Sequence, residues 1–449
     1  MRVRWLLVFT LLVTVLGNFG VTRATSAAPA SPAVPVLVAD CKMSLAPNSS
    51  ATWKICFPVD QTTTPPTQVW NNSVVVWAHG YQAPGFVPTY QDDIDGISAP
   101  NLIASRGFAF ITTTYPKNGL VVLDAEKDLL ALVDYFKTTY PETALPLPRK
   151  VYLAGISMGG LITTQLAEQT TGKFDGALAL CGVVGDFKRQ INYWGDFKAL
   201  YRTLFPNVVA SWPTLPISMT TEVTWTTVYQ PAIYTGVISN TAAAAQLLAA
   251  SKAVYDTTVP TTVLTTILGL TYFSFLSEEE AALRLGGNPV ENRSTWYRGL
   301  VPANNMALNK AVPRTAASAA ALTEMQKYET TGLPKIPMVM AHTILDPFVP
   351  VDQSLRYILK AKAKGVDPTK FVAYLGAQYG HCTFTQAQFA ESFGTLVYLV
   401  TGIQLAQTQA VSAFVPDTEL QTRLADLAAA IAVPDPNTFT RTYLPLVSR

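Results

Sequence analysis

Continuous apolar runs recur along this chain, and stretches with helical spacing separate most of them. Val74-Val75-Val76-Trp77-Ala78 is one such run. No polar residue alternates with its apolar ones, which predicts a strand buried on both faces. Residues 108–115 predict the next strand, preceded by a helix ending at Arg106-Gly107. Leu129, Leu132, Val133 and Phe136 share one face of a helix over 123–140, closed by Pro141. Val151-Tyr152-Leu153-Ala154 is again apolar and leads into a helix over 161–168, and residues 176–181 predict a further strand. The same alternation returns late in the chain, with strands over 336–341 and 371–376 and helices over 351–362 and 386–402. Strand followed by helix, repeated, predicts an α/β architecture with a doubly wound, mostly parallel sheet. Ahead of it, residues 38–59 predict a β-hairpin turning at Ala46-Pro47-Asn48-Ser49-Ser50.

The alternation is lost between residues 183 and 332. Aromatic side chains cluster there (Tyr193, Trp194, Phe197, Tyr201, Phe205, Trp212 and Trp225). An alanine-rich helix is expected over 241–255 and an acidic-started helix after Ser277. The stretch reads as a helical cap inserted into a core made of residues 38–182 and 333–405. Residues 406–449 add a helix over about 420–431 and a tail.

Composition sharpens this picture at the N-terminus. The chain has 449 residues, 49% of them hydrophobic and only 14% charged, which excludes a disordered protein and allows a large core. Part of the apolar excess is local. Met1-Arg2-Val3-Arg4 is basic, Trp5 to Leu16 is apolar, and Ala24-Thr25-Ser26-Ala27-Ala28 is small. That is the layout of a secretory signal peptide over 1–28, too short to span a bilayer, followed by a linker over 29–37. The mature protein is expected outside the cytoplasm, with no stable membrane insertion after cleavage. Net charge is +2, from 32 basic and 30 acidic residues, and no Lys/Arg cluster or aromatic-basic stripe marks a nucleic-acid partner. Four cysteines in an oxidising compartment read as two disulfides. Three pairings are possible. Cys41 and Cys56 would face each other across the hairpin, which leaves Cys181 with Cys382. No spacing matches a zinc or haem motif, and no cofactor is implied.

The candidate chemistry begins at Gly155-Ile156-Ser157-Met158-Gly159, where strand passes into helix. Such a turn lifts a serine in strained backbone, and a Cβ at Gly155 or Gly159 would collide with its neighbours. The base is sought among only three histidines. His381 follows the last strand in Gly380-His381-Cys382, where it can take the Ser157 proton and return it to a leaving group. The acid is expected after the preceding strand, which nominates Asp346, five residues past the expected strand end, to hold His381 in the right tautomer. Asp186 competes for that role and Asp352 lies nearby. An oxyanion needs N–H donors worth about 3 kcal/mol each. The backbone N–H of Met158 and that of Tyr81, after His79-Gly80, are nominated. His79 is read as fixing that loop, and His342 as supporting the acid.

Together, Gly155-Ile156-Ser157-Met158-Gly159, His79-Gly80, Asp346-Pro347-Phe348-Val349-Pro350 and Gly380-His381-Cys382 resemble the α/β-hydrolase superfamily over roughly residues 70–182 and 333–402. Within it, a Cys directly after the histidine resembles the tannase and feruloyl esterase group, where it bonds a Cys directly before the nucleophile. Ile156 occupies that position here. Polyester depolymerases and prolyl-oligopeptidase-like hydrolases are equally similar. The resemblance implies a secreted serine hydrolase acting on a small or polymeric carboxylic ester through Ser157, His381 and Asp346. A peptidase using the same triad ranks second, and a non-catalytic binding protein third. The aromatic cap implies an apolar group on the substrate, or simply a core of its own.

Overall fold

The structure, a computed structural model, describes residues 36–47, 49–141, 149–169, 171–208, 223–405 and 412–432. The expected signal peptide, most of the linker, Trp212 and the tail beyond residue 432 lie outside them. The strands are β1 (Leu37–Leu45), β2 (Thr52–Asp60), β3 (Thr67–Gln68), β4 (Val74–Ala78), β5 (Asp93–Ile94), β6 (Ile97–Ser98), β7 (Ala109–Thr113), β8 (Val151–Ile156), β9 (Gly176–Leu180), β10 (Met338–Leu345) and β11 (Phe371–Tyr379). One sheet runs in the order β1-β2-β7-β4-β8-β9-β10-β11, with β3 beside β2. β2 is antiparallel to its neighbours and every pair from β7 to β11 is parallel.

The unbroken apolar runs are explained by the layers they separate. Val74, Val76 and Ala78 point into a layer with Leu129, Leu132, Leu161 and Ile162 of helices α2 (Val122–Thr139) and α3 (Met158–Glu168). Val75 and Trp77 point the other way. They pack with Leu102 and Ile103 of α1 (Ala99–Ala104) and with Phe389 and Phe393 of the helix Gln386–Thr401. Each large side chain buried this way contributes on the order of 2–3 kcal/mol. The hairpin register sets Cys41 opposite Cys56, and the two are bonded. Cys181 is bonded to Cys382.

Strand order also decides where a site can form. The chain leaves β4 toward β7 on one side, but β8 lies on the other side of β4 and leads on to β9. The loops after β4 and β8 therefore depart in opposite directions from neighbouring strands. That opens a crevice at their carboxyl ends.

Between β9 and β10 the chain is helical: α4 (Phe187–Leu204), then Gln230–Ser239, Thr241–Ser251, Thr261–Tyr272, Glu278–Arg284, Pro302–Ala311 and Ala319–Met325. Two sequence expectations change here. The alanine-rich helix stops at Ser251, because Lys252 turns left-handed (φ 59°). Glu278–Arg284 is no separate helix: a π-helical turn, Phe273–Ser277, joins it to Thr261–Tyr272. The expected strands 336–341 and 371–376 both run longer, to Leu345 and Tyr379. The last residues of β10 include His342 and Thr343, polar groups that are buried because tertiary partners satisfy them. Residues 420–431 lie in the helix Asp417–Ala432, whose Leu420, Leu424 and Leu427 cover Leu355, Ile358 and Leu375. Among the described residues no helix is long and apolar enough to cross a membrane.

Candidate active site

Ser157 sits between β8 and α3 with φ 58° and ψ −119°, a backbone state that few non-glycine residues adopt. Its surroundings hold it there. Its N–H donates to Leu180 O of β9 (2.9 Å), and its carbonyl accepts from Gly160 N (2.9 Å). A Cβ on Gly155 would lie 2.2 Å from Gly159 O, and one on Gly159 would lie 1.9 Å from Ala78 O. Both glycines are thus required by close backbone approach, which clamps the turn between β4 and β8. Gly80 is different. A Cβ there would meet Ser157 Cβ at 3.4 Å, so the loop after β4 runs directly against the serine.

The Ser157 hydroxyl donates to His381 Nε2 at 2.7 Å, and His381 Nδ1 donates to Asp346 Oδ2 at 2.6 Å. The carboxylate fixes the imidazole tautomer, because Nδ1 must carry the proton. Asp346 directly follows β10, rather than standing five residues beyond it. It is fully buried, and its Oδ1 accepts the N–H groups of Phe348 (2.9 Å) and Val349 (3.0 Å). Burial works against its charge, but electrostatic attraction to His381 and His342 and their hydrogen bonds outweigh it and hold its pKa below the ordinary carboxylate value. His342 lies behind it, fully buried. Its Nε2 donates to Val349 O (2.8 Å) and stands 3.5 Å from Asp346 Oδ2, while its Nδ1 accepts from the Ser354 hydroxyl (2.7 Å). Asp186 is used elsewhere, as the N-cap of α4, accepting from Arg189 N at 2.8 Å. Asp352 pairs with Arg189 and Arg356.

The His381 loop is fastened at both edges. Gly380 N donates to Leu345 O (3.1 Å), and Thr343 Oγ1 donates to Gly380 O (2.6 Å). Cys382 bonds Cys181 at the end of β9, and its Sγ lies 3.6 and 3.7 Å from the two imidazole nitrogens. Those sulfurs share one bond, so neither offers a thiolate to a metal ion.

The strand order, the serine turn after β8, and the acid and histidine after β10 and β11 decide the fold. It is that of the α/β-hydrolases. No protein-family model and no curated protein matches the chain. Among solved structures, the chain is similar to Pyrococcus horikoshii acylaminoacyl peptidase (TM-score 0.40, 11% identity, 85% of this chain and 44% of that one). It is similar also to feruloyl esterase B from Aspergillus oryzae (0.40, 14%, 80% of each). A third is the rice cell wall degrading esterase LipA from Xanthomonas oryzae (0.37, 12%, 78% and 84%). The chain thus spans under half the length of the acylaminoacyl peptidase.

The Met158 amide is the first of α3, among those with no intrahelical acceptor. Tyr81 and Met158 line a cavity that opens on Ser157 and His381. His79 does not line this cavity. It is buried, stacks on Tyr115 with ring centres 3.8 Å apart, and its Nδ1 donates to Gly80 O (2.8 Å). Burial pushes its pKa down to about 4, against those hydrogen bonds.

Sequence reasoning missed most of the cavity wall. Phe187, Gln190 and Trp194 of α4, Phe273 and Ser277 of the π-helical turn, and Phe348 beyond the acid all contribute. The aromatic cluster was the available signal, yet it mixes two populations. Tyr193, Phe197, Tyr201, Phe205 and Trp225 form the interior of the helical region with Leu247 and Ile267, whereas Trp194 faces the cavity and stacks on Phe273.

Proposed function

We propose that the chain is an exported serine hydrolase that cleaves carboxylic esters through an acyl-enzyme. One observation carries the reading: the Ser157 hydroxyl is hydrogen-bonded to His381 and His381 to the buried Asp346, beside an apolar cavity. Ser157 Oγ bonds the ester carbonyl carbon while its proton moves to His381 Nε2. Asp346 stabilises the resulting imidazolium, and the amides of Met158 and Tyr81 stabilise the oxyanion. The C–O bond then breaks, and the departing alcohol takes the proton from His381. Water attacks the acyl-enzyme with His381 as base, releasing the acid and restoring Ser157. No step calls on a cofactor. Export is supported by the two disulfides and by the basic, then apolar, N-terminal sequence.

The test is turnover of p-nitrophenyl butyrate by the mature protein and by Ser157→Ala. Activity should vanish in the variant, and unchanged activity would sink the assignment. A parallel assay on prolyl amides separates the competing reading, since amide turnover without ester turnover would make the chain a peptidase.

A further inference from the structure

Among the described residues, no Lys, Arg, Asp or Glu lines the cavity that opens on Ser157 and His381. A substrate group bearing an ammonium or carboxylate would therefore lose its hydration there with no counter-charge to replace it. Yet the wall is not wholly apolar. Gln190 is buried (1% exposed), and its Nε2 donates to Phe348 O at 2.8 Å. That bond fixes the amide orientation and turns Oε1 into a pure acceptor, which has no partner. Tyr81 and Ser277 enter the same wall, and their hydroxyls interact with each other. Ser277 and Phe273 mark the two ends of the π-helical turn in the helix running from Thr261 to Arg284. Such turns are rare and concentrate at functional sites.

Buried polar atoms without partners are uncommon in folded proteins, and Gln190, which carries one, lines this cavity. We propose that this cavity takes the uncharged, mainly apolar part of an ester that bears a hydroxyl, and that Gln190 Oε1 accepts the hydrogen bond from it. The inference rests on the ester-hydrolase reading above and specifies its substrate class. A hydroxyl suits that acceptor, because it donates to Gln190 Oε1. The same ester without its hydroxyl leaves Gln190 Oε1 unpaired and dry in the bound state, so discrimination favours the hydroxylated substrate.

The experiment compares kcat/KM for two matched pairs of esters. One pair is p-nitrophenyl hexanoate and its terminally hydroxylated counterpart. The other is p-nitrophenyl phenylpropanoate and its ring-hydroxylated counterpart. In the wild type the hydroxylated member of at least one pair should be preferred by about tenfold. In Gln190→Met that ratio should fall to about one, whatever the absolute rates. Equal kcat/KM within both pairs in the wild type would overturn the inference while leaving the hydrolase reading intact, and so would a ratio unchanged in Gln190→Met. Turnover of none of the four esters would overturn the hydrolase reading and this inference with it. The wild-type comparison decides even where Gln190→Met does not fold.

Discussion

His79 is a buried base with its pKa held down to about 4, against an ordinary value of 6.5. Between those values the unfolded chain binds a proton that the native one refuses. Stability from this residue is therefore complete above pH 6.5 and falls as pH drops toward 4, by about 3 kcal/mol over the window. Denaturant titration at about pH 7.5 and about pH 4.5 should show that loss, and His79→Gln should flatten it. A slope unchanged in the variant would place the titration elsewhere. The two carboxylates that competed for His381 in the sequence separate just as clearly. Asp346→Asn should lower kcat by about four orders of magnitude, since an amide no longer fixes the tautomer of His381. Asp186→Ala removes only the N-cap of α4 and should cost about 1 kcal/mol in stability. If kcat collapsed in Asp186→Ala and survived in Asp346→Asn, the assignment of the acid would be reversed.

At the scale of elements, the serine turn and the strand-end disulfide make different demands. Gly159→Ala drives a Cβ into Ala78 O and should destabilise by about 3 kcal/mol or more, whereas Gly80→Ala meets only ordinary contacts and should change stability little. Thermal melting of the two variants tests the contrast. The disulfides differ too. Cys181–Cys382 closes a separation of 201 residues and Cys41–Cys56 one of 15, worth about 5 and about 3 kcal/mol in the chain-entropy account. Only the first touches His381. Its double Ser variant should lose kcat as well as stability, while the hairpin variant loses stability alone. These elements were also the legible ones. β4, β8, β9 and α3 are local apolar patterns, and β8 and α3 carry glycines whose need is steric, so short windows of sequence reveal them. The last residues of β10 were not legible, because His342 and Thr343 look like loop residues until Ser354, Val349 and Gly380 are brought beside them. The cavity wall was the least legible. Gln190 and Ser277 carry no pattern in sequence, and their place follows from where α4 and the π-helical turn pack.

For the molecule as a whole, the contact that joins the helical region to the crevice is the next thing to break. Glu280 is buried on the helix Glu278–Arg284. It accepts the Leu120 N–H at 2.9 Å and Arg284 Nε at 2.6 Å, and Arg284 reaches back to Asn118 O at 3.2 Å. Gly119 carries no side chain because a Cβ there would lie 2.2 Å from Glu280 Oε1. The segment 118–120 is thereby fixed to the helix from which Ala281 enters the cavity wall, and Leu120 enters it from the other side. Glu280→Ala leaves the Leu120 amide and the Arg284 guanidinium without their acceptor and should cost about 2 kcal/mol. The functional effect should fall on substrate positioning. Leu120 and Ala281 shift against each other while Ser157, His381 and Asp346 keep the hydrogen bonds that join them. KM for p-nitrophenyl butyrate should rise several-fold with kcat changed less. A collapse of kcat at unchanged KM would mean instead that this contact supports the reacting groups themselves, and that the helical region and the serine site are one mechanical unit.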